Sequence, residues 1–141
     1  MTLTPVAASL IMLAHTMTAT YMDVDPNKVP PIKGAYTLPL KSFDKINDCT
    51  ICKPPTTAIY RERDEKIYIG IKPYYKDRFI FSQLLHETAH HFQYKLNVKN
   101  KCLMEEEWHA VKLQALYLQS KGATWWKFNE KKAEYKGGKC N

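Results

Sequence analysis

The stretch His86-Glu87-Thr88-Ala89-His90 fits the pattern HExxH, residue types at a spacing that suits metal-assisted hydrolysis. Residues four apart share one face of a helix, so His86 and His90 can grip one ion together. Glu87 then projects about 100° around the helix, within reach of a water held by that ion. Two neutral imidazoles suit zinc, and a catalytic zinc keeps one position open for water. His86 and His90 are therefore candidate ligands of one Zn2+ per chain, and Glu87 is the candidate general base.

A catalytic zinc needs a third protein ligand. Gln93 and Leu96 stand where a His-x-x-Gly-x-x-His extension would place Gly and the third His, so that arrangement is absent. Better candidates lie in the run Met104-Glu105-Glu106-Glu107-Trp108-His109-Ala110-Val111. As a helix, it sets Glu107, Val111, Gln114 and Leu118 on one inward face. Glu105 and Glu106 turn more outward and suit the electropositive helix start. Glu107 would complete a His, His, Glu set; His109 is the rival, about 200° around from Glu107, so both cannot face one ion.

These residues need elements to hold them. No Pro or Gly interrupts residues 78 to 96, and Asp77, after the Pro73-Tyr74-Tyr75 turn, is the expected cap. Phe81, Leu85, Ala89, Phe92 and Leu96 recur at helical spacing as a buried stripe. Phe79, Gln83, His86, His90 and Gln93 fall on an adjoining face that would look into a cleft. Upstream, Ile67, Ile69 and Ile71 alternate with Lys66, Tyr68, Gly70 and Lys72, the pattern of a half-buried strand. Thr57-Ala58-Ile59-Tyr60-Arg61 is its expected hairpin partner, with Asp64-Glu65 near the turn. Six prolines between 23 and 57 predict an irregular, extended segment wrapped on the domain rather than forming its core. Gly122 is expected to end the second site helix.

With HExxH on one helix and Glu-x-x-Ala (Glu107 to Ala110) on the next, the chain resembles a small gluzincin-type zinc metallopeptidase. It is also similar to a group of small, poorly characterised bacterial zincin-like secreted proteins. The matching stretches are Lys66 to Pro73, Leu84 to Tyr94, Cys102 and Glu107 to Gln114. The resemblance implies an α+β fold: a minimal zincin-like domain with a short antiparallel sheet, an HExxH active-site helix and a second helix carrying the third metal ligand. It implies His86, His90 and Glu107 as zinc ligands, Glu87 as general base, and a peptide or protein as substrate. In zincins an edge strand above the site helix pairs with extended substrate, which would give the strand 66–71 that role, with Gly70 admitting a peptide backbone closely. Tyr68, Gly70, Gln83 and Gln93 are then the candidate substrate-cleft residues.

At 141 residues the chain has the length of one domain, and no apolar run is long enough to span a membrane. Pro5 to Ala14 has the length of a secretory h-region, so residues 1–19 read as a signal peptide, with a short N-terminal helix as the alternative. Residues 20–57 are then the Pro-rich extended segment and 58–141 the zincin-like domain. Cys49, Cys52, Cys102 and Cys140 form an even set suited to disulfides in an oxidising compartment, with three pairings open. That favours a secreted or periplasmic location, with the cytoplasm as the alternative. A separate four-Cys zinc site is the weaker reading. The net charge is +7, and Lys127, Lys131, Lys132, Lys136 and Lys139 alternate with Trp125, Trp126, Phe128 and Tyr135. A solvated helix face explains that pattern better than a nucleic-acid surface.

The expectation is thus a zinc-dependent metallopeptidase. The alternatives are a non-catalytic zinc-binding protein, secreted or from a mobile element, and a basic nucleic-acid-associated protease. The latter resembles the SprT-like group, whose third ligand is a histidine, and only His109 is placed for that role.

Overall fold

Ile67 and Ile69 mark the centre of the fold, both buried on an interior strand of its sheet. The computed structural model describes residues 2–45, 57–98 and 103–123. Cys49, Cys52, Cys102 and Cys140, and the Lys- and aromatic-rich stretch beyond 123, lie outside the described residues.

The architecture is α+β, a small four-stranded mixed sheet with three helices. The strands are β1 (Thr4–Pro5), β2 (Gly34–Pro39), β3 (Ala58–Arg61) and β4 (Lys66–Ile71), in the spatial order β1-β2-β4-β3. β2 runs parallel to β4, whereas β1 with β2 and β3 with β4 are antiparallel. The helices are α1 (Ala8–Met22), α2 (Asp77–Lys95) and α3 (Leu103–Ser120), with α2 packed between the other two. None of the described helices is long and apolar enough to cross a membrane.

Three expectations about the strands change: the sheet is mixed rather than antiparallel because β2 inserts parallel to β4, and the other two concern β4 itself. Residues 66–71 do form a strand, but it is interior, and β3 is the edge beside it. β4 is also buried on both faces. Ile67 and Ile69 face the helices with Ala35, Leu84 and Leu85, while Tyr68 packs with Leu38 and Phe43 on the other face. A short 3-10 helix, Leu40–Lys45, supplies Leu40 and Phe43 as that second cover. The Pro-rich segment supplies this cover and β2 as well, so it belongs to the core instead of only wrapping it. Its prolines allow this because Pro39 sits at the last position of β2 and Pro26, Pro30 and Pro31 precede the strand.

α2 buries Phe81, Leu85, Ala89 and Phe92 as expected from their spacing. Its cap differs: Lys76 holds the N-cap position with no side-chain bond, and Asp77 is the first helical residue. There its charge favours the helix start through the macrodipole rather than by capping. α3 ends where Gly122 takes φ +76°, with Gly122 N–H bonded to the Gln119 carbonyl and Ala123 N–H to that of Leu118. This left-handed closure suits glycine, which has no Cβ to clash. The N-terminal segment forms α1, whose Ala14, His15, Thr18 and Ala19 are buried.

Candidate metal centre

His86 and His90 stand one turn apart on α2, ring centroids 5.1 Å from each other, and both present Nε2 to Glu107 of α3. Glu107 Oε1 lies 2.5 Å from His90 Nε2 and 3.4 Å from His86 Nε2. One ligand atom from each residue falls within 4.8 Å of the others, the only such grouping of His, Cys, Asp and Glu among the described residues. The structure therefore brings together the three candidate ligands named from sequence. His109 is exposed elsewhere, its ring against Trp108 and Tyr21, so it has no part in this cluster.

Hydrogen bonds fix which nitrogen of each imidazole faces inward. Ser82 Oγ donates its one hydrogen to the Phe79 carbonyl and can only accept from Gln114. The Gln114 amide nitrogen must therefore face Ser82, which leaves Gln114 Oε1 to accept from His86 Nδ1–H at 3.0 Å. At the second histidine, Gln93 Nε2 donates to the Glu106 carbonyl, a pure acceptor, so Gln93 Oε1 accepts from His90 Nδ1–H at 2.8 Å. Both glutamines are buried. Each histidine thus carries a proton on Nδ1 and points the other nitrogen at Glu107, the arrangement in which outer partners orient metal ligands.

The electrostatics match the geometry. Burial disfavours charge on His90, but the Glu107 hydrogen bond and the Glu87 charge outweigh it and raise its pKa to about 9. Burial would likewise raise the Glu107 carboxyl, yet bonds from His86 and His90 hold it far below the usual carboxylate range. Glu87 is only 7% exposed, and it makes no hydrogen bond or ion pair among the described residues. It lines a cleft of about 520 Å³ together with His90, Glu107, Gln93, Tyr94 and residues of β3.

β3 forms one wall, and among the described residues no strand pairs with its outer edge. The Gly70 N–H bonds to the Thr57 carbonyl, which sets the alternation along the β3–β4 pair. By that alternation Ile59 and Arg61 turn their main-chain groups toward β4, while those of Ala58 and Tyr60 face outward. Behind the wall, His91 is fully buried. Its Nε2–H donates to the Pro30 carbonyl at 2.7 Å, so Nδ1 accepts from the Tyr60 hydroxyl, also at 2.7 Å. Burial lowers the His91 pKa; burial, then the Glu65 charge, raises that of Tyr60. The pair ties β3 to α2 in uncharged form.

The other cleft candidates separate. Gln93 lines the cleft as well as orienting His90. Tyr68 and Gly70 do not: Tyr68 bonds Arg61 on the far face of the sheet, and a Cβ on Gly70 would meet Leu40 and Phe43. The physical reason is strand alternation: Ile67, Ile69 and Ile71 take the face toward α2, which puts Tyr68 and Gly70 on the opposite face. Gln83 is half-buried and outside the cleft lining. The orienting Ser82 and Gln114 and the Tyr60–His91 link are the functional groups that sequence reasoning missed. A signal existed for Gln114, seven residues after Glu107 and so on its face of α3.

Residues 9–129 match the family described as a domain of unknown function, DUF6647. The chain belongs to this family. The matched span takes in α2, α3 and all three candidate ligands. No curated protein and no solved structure matches the chain.

Proposed function

We propose that this chain is a zinc-dependent metallopeptidase of the gluzincin type. One observation carries the reading: two imidazoles, each oriented by a buried glutamine, converge with Glu107 beside a buried Glu87 that makes no hydrogen bond among the described residues. Two nitrogen donors and a carboxylate oxygen suit zinc, and the Nδ1–H bonds leave lone pairs on the Nε2 atoms that would hold it. When bound, the ion acidifies a water and polarises the scissile carbonyl. Glu87 is placed to hold the proton that a metal-bound water would give up and would pass it to the departing amine. The outward main chain of Ala58 and Tyr60 pairs with an extended substrate, which moves the substrate-binding edge from β4 to β3. The even cysteine set fits action in a secreted or periplasmic setting.

The test is a mixed peptide pool read by mass spectrometry with zinc-reconstituted protein. Wild type should cleave, and Glu87→Gln should keep its zinc while cleavage falls by roughly 10²–10⁴. Cleavage by Glu87→Gln at the wild-type rate would remove Glu87 from its role. A zinc-loaded wild type that cuts nothing would favour a non-catalytic zinc protein.

A further inference from the structure

The cleft beside the candidate ligands is acidic in a basic protein. The chain carries a net charge of +7. Yet Glu62, Glu87, Glu106 and Glu107 all line the cleft, and among the described residues no Lys or Arg does. Two acidic groups outside it are matched: Glu65 pairs with Lys33 at 3.3 Å and Lys95 at 2.7 Å, and Asp64 pairs with Arg61. Glu107 is matched by the two histidines. Glu62 and Glu106 have no side-chain partner among the described residues. Glu87 is a second sign, a residue more than nine-tenths buried that lines the cleft and makes no hydrogen bond or ion pair among the described residues. Burying such a group is costly unless something cationic completes its surroundings.

A divalent ion would be balanced by Glu107 and Glu87, which leaves Glu62 and Glu106 facing something else. A cleft lined by one sign of charge concentrates ligands of the other sign. The outer edge of β3, unpaired among the described residues, sets main-chain donors and acceptors along the same wall, which the Tyr60 and Tyr94 rings also line, 6.3 Å apart. We infer that the cleft selects an extended peptide bearing a lysine or arginine side chain beside the scissile bond, its cation facing Glu62 and Glu106. The scissile bond rests on the peptidase reading; the charge preference is a property of the cleft alone.

Three labelled peptides differing at one position (Lys, norleucine or Glu) test it, by fluorescence anisotropy on the zinc-loaded Glu87→Gln chain and on the metal-free wild type. The Lys peptide should bind about fivefold tighter than norleucine or better, and the Glu peptide weaker still. The preference should shrink in about 0.5 M salt. It should vanish in a Glu62→Gln, Glu106→Gln double variant with unchanged zinc content and circular dichroism, and invert in Glu62→Lys. Equal binding of all three peptides would overturn the charge preference, whatever the hydrolysis assay gives. Charge-selective binding by a zinc-loaded wild type that cleaves none of them would instead overturn the peptidase reading and the placement beside a scissile bond.

Discussion

Gln114 Oε1 sits 3.0 Å from His86 Nδ1, and Ser82 on the same helix as His86 decides which way that amide faces. Gln114 and Glu107 are seven residues apart, two turns of α3, so one face of one helix carries both a candidate ligand and the group that orients another candidate ligand. The packing of α3 on α2 therefore sets the position of the three converging side chains and the tautomers of the two histidines together.

Removing an orienting amide should weaken metal binding without dismantling the cluster. Gln114→Ala and Gln93→Ala should each lower zinc affinity by roughly 10–100-fold, measured by competition with a chelator of known strength. Unchanged affinity in both would mean that the imidazoles are held by packing alone.

The metal-free chain should show a defined pH dependence. Glu107 and Glu87 raise the His90 pKa from 6.5 to about 9 against the effect of burial. The folded value lies above the unfolded one, so this pairing stabilises fully below about pH 6.5 and is lost as pH rises through about 9. Urea midpoints of the metal-free protein should fall over that window, and Glu107→Gln should flatten the fall. Zinc uptake should also release a proton from His90 below about pH 9, seen in weakly buffered titrations.

Tyr60→Phe leaves the Nδ1 of fully buried His91 without its donor. That should cost about 1–3 kcal/mol in urea unfolding, with zinc content unchanged. A neutral result would show that His91 finds another partner.

Gly70→Ala separates packing from substrate contact. The added Cβ would lie 2.8 Å from Leu40 Cδ1 and 3.1 Å from Phe43 Cδ2. Overpacking there should cost about 1–3 kcal/mol while peptide cleavage by the surviving folded protein stays at the wild-type level. A selective loss of cleavage at unchanged stability would return Gly70 to the substrate cleft.

Much of the site was legible because helical periodicity is local. HExxH, the buried stripe of α2 and the inward face of α3 each depend only on spacing along one helix. What depends on non-local pairing was not. The insertion of β2 beside β4 joins residues about thirty positions apart, Gly34 with Lys66 and Pro39 with Ile71, and no spacing rule reports it. The same holds for the cover over Tyr68 by Phe43 and for the Tyr60–His91–Pro30 link. Glu107 was reachable because its helix face could be read; the Ser82–Gln114–His86 chain needed the two helices side by side.

The most direct test of the account is zinc content in three purified proteins: wild type, Glu107→Ala and His109→Ala. The account predicts about one zinc per chain in wild type and His109→Ala, and loss of zinc in Glu107→Ala. Zinc retained in full by Glu107→Ala, or no zinc in wild type after reconstitution, would contradict it.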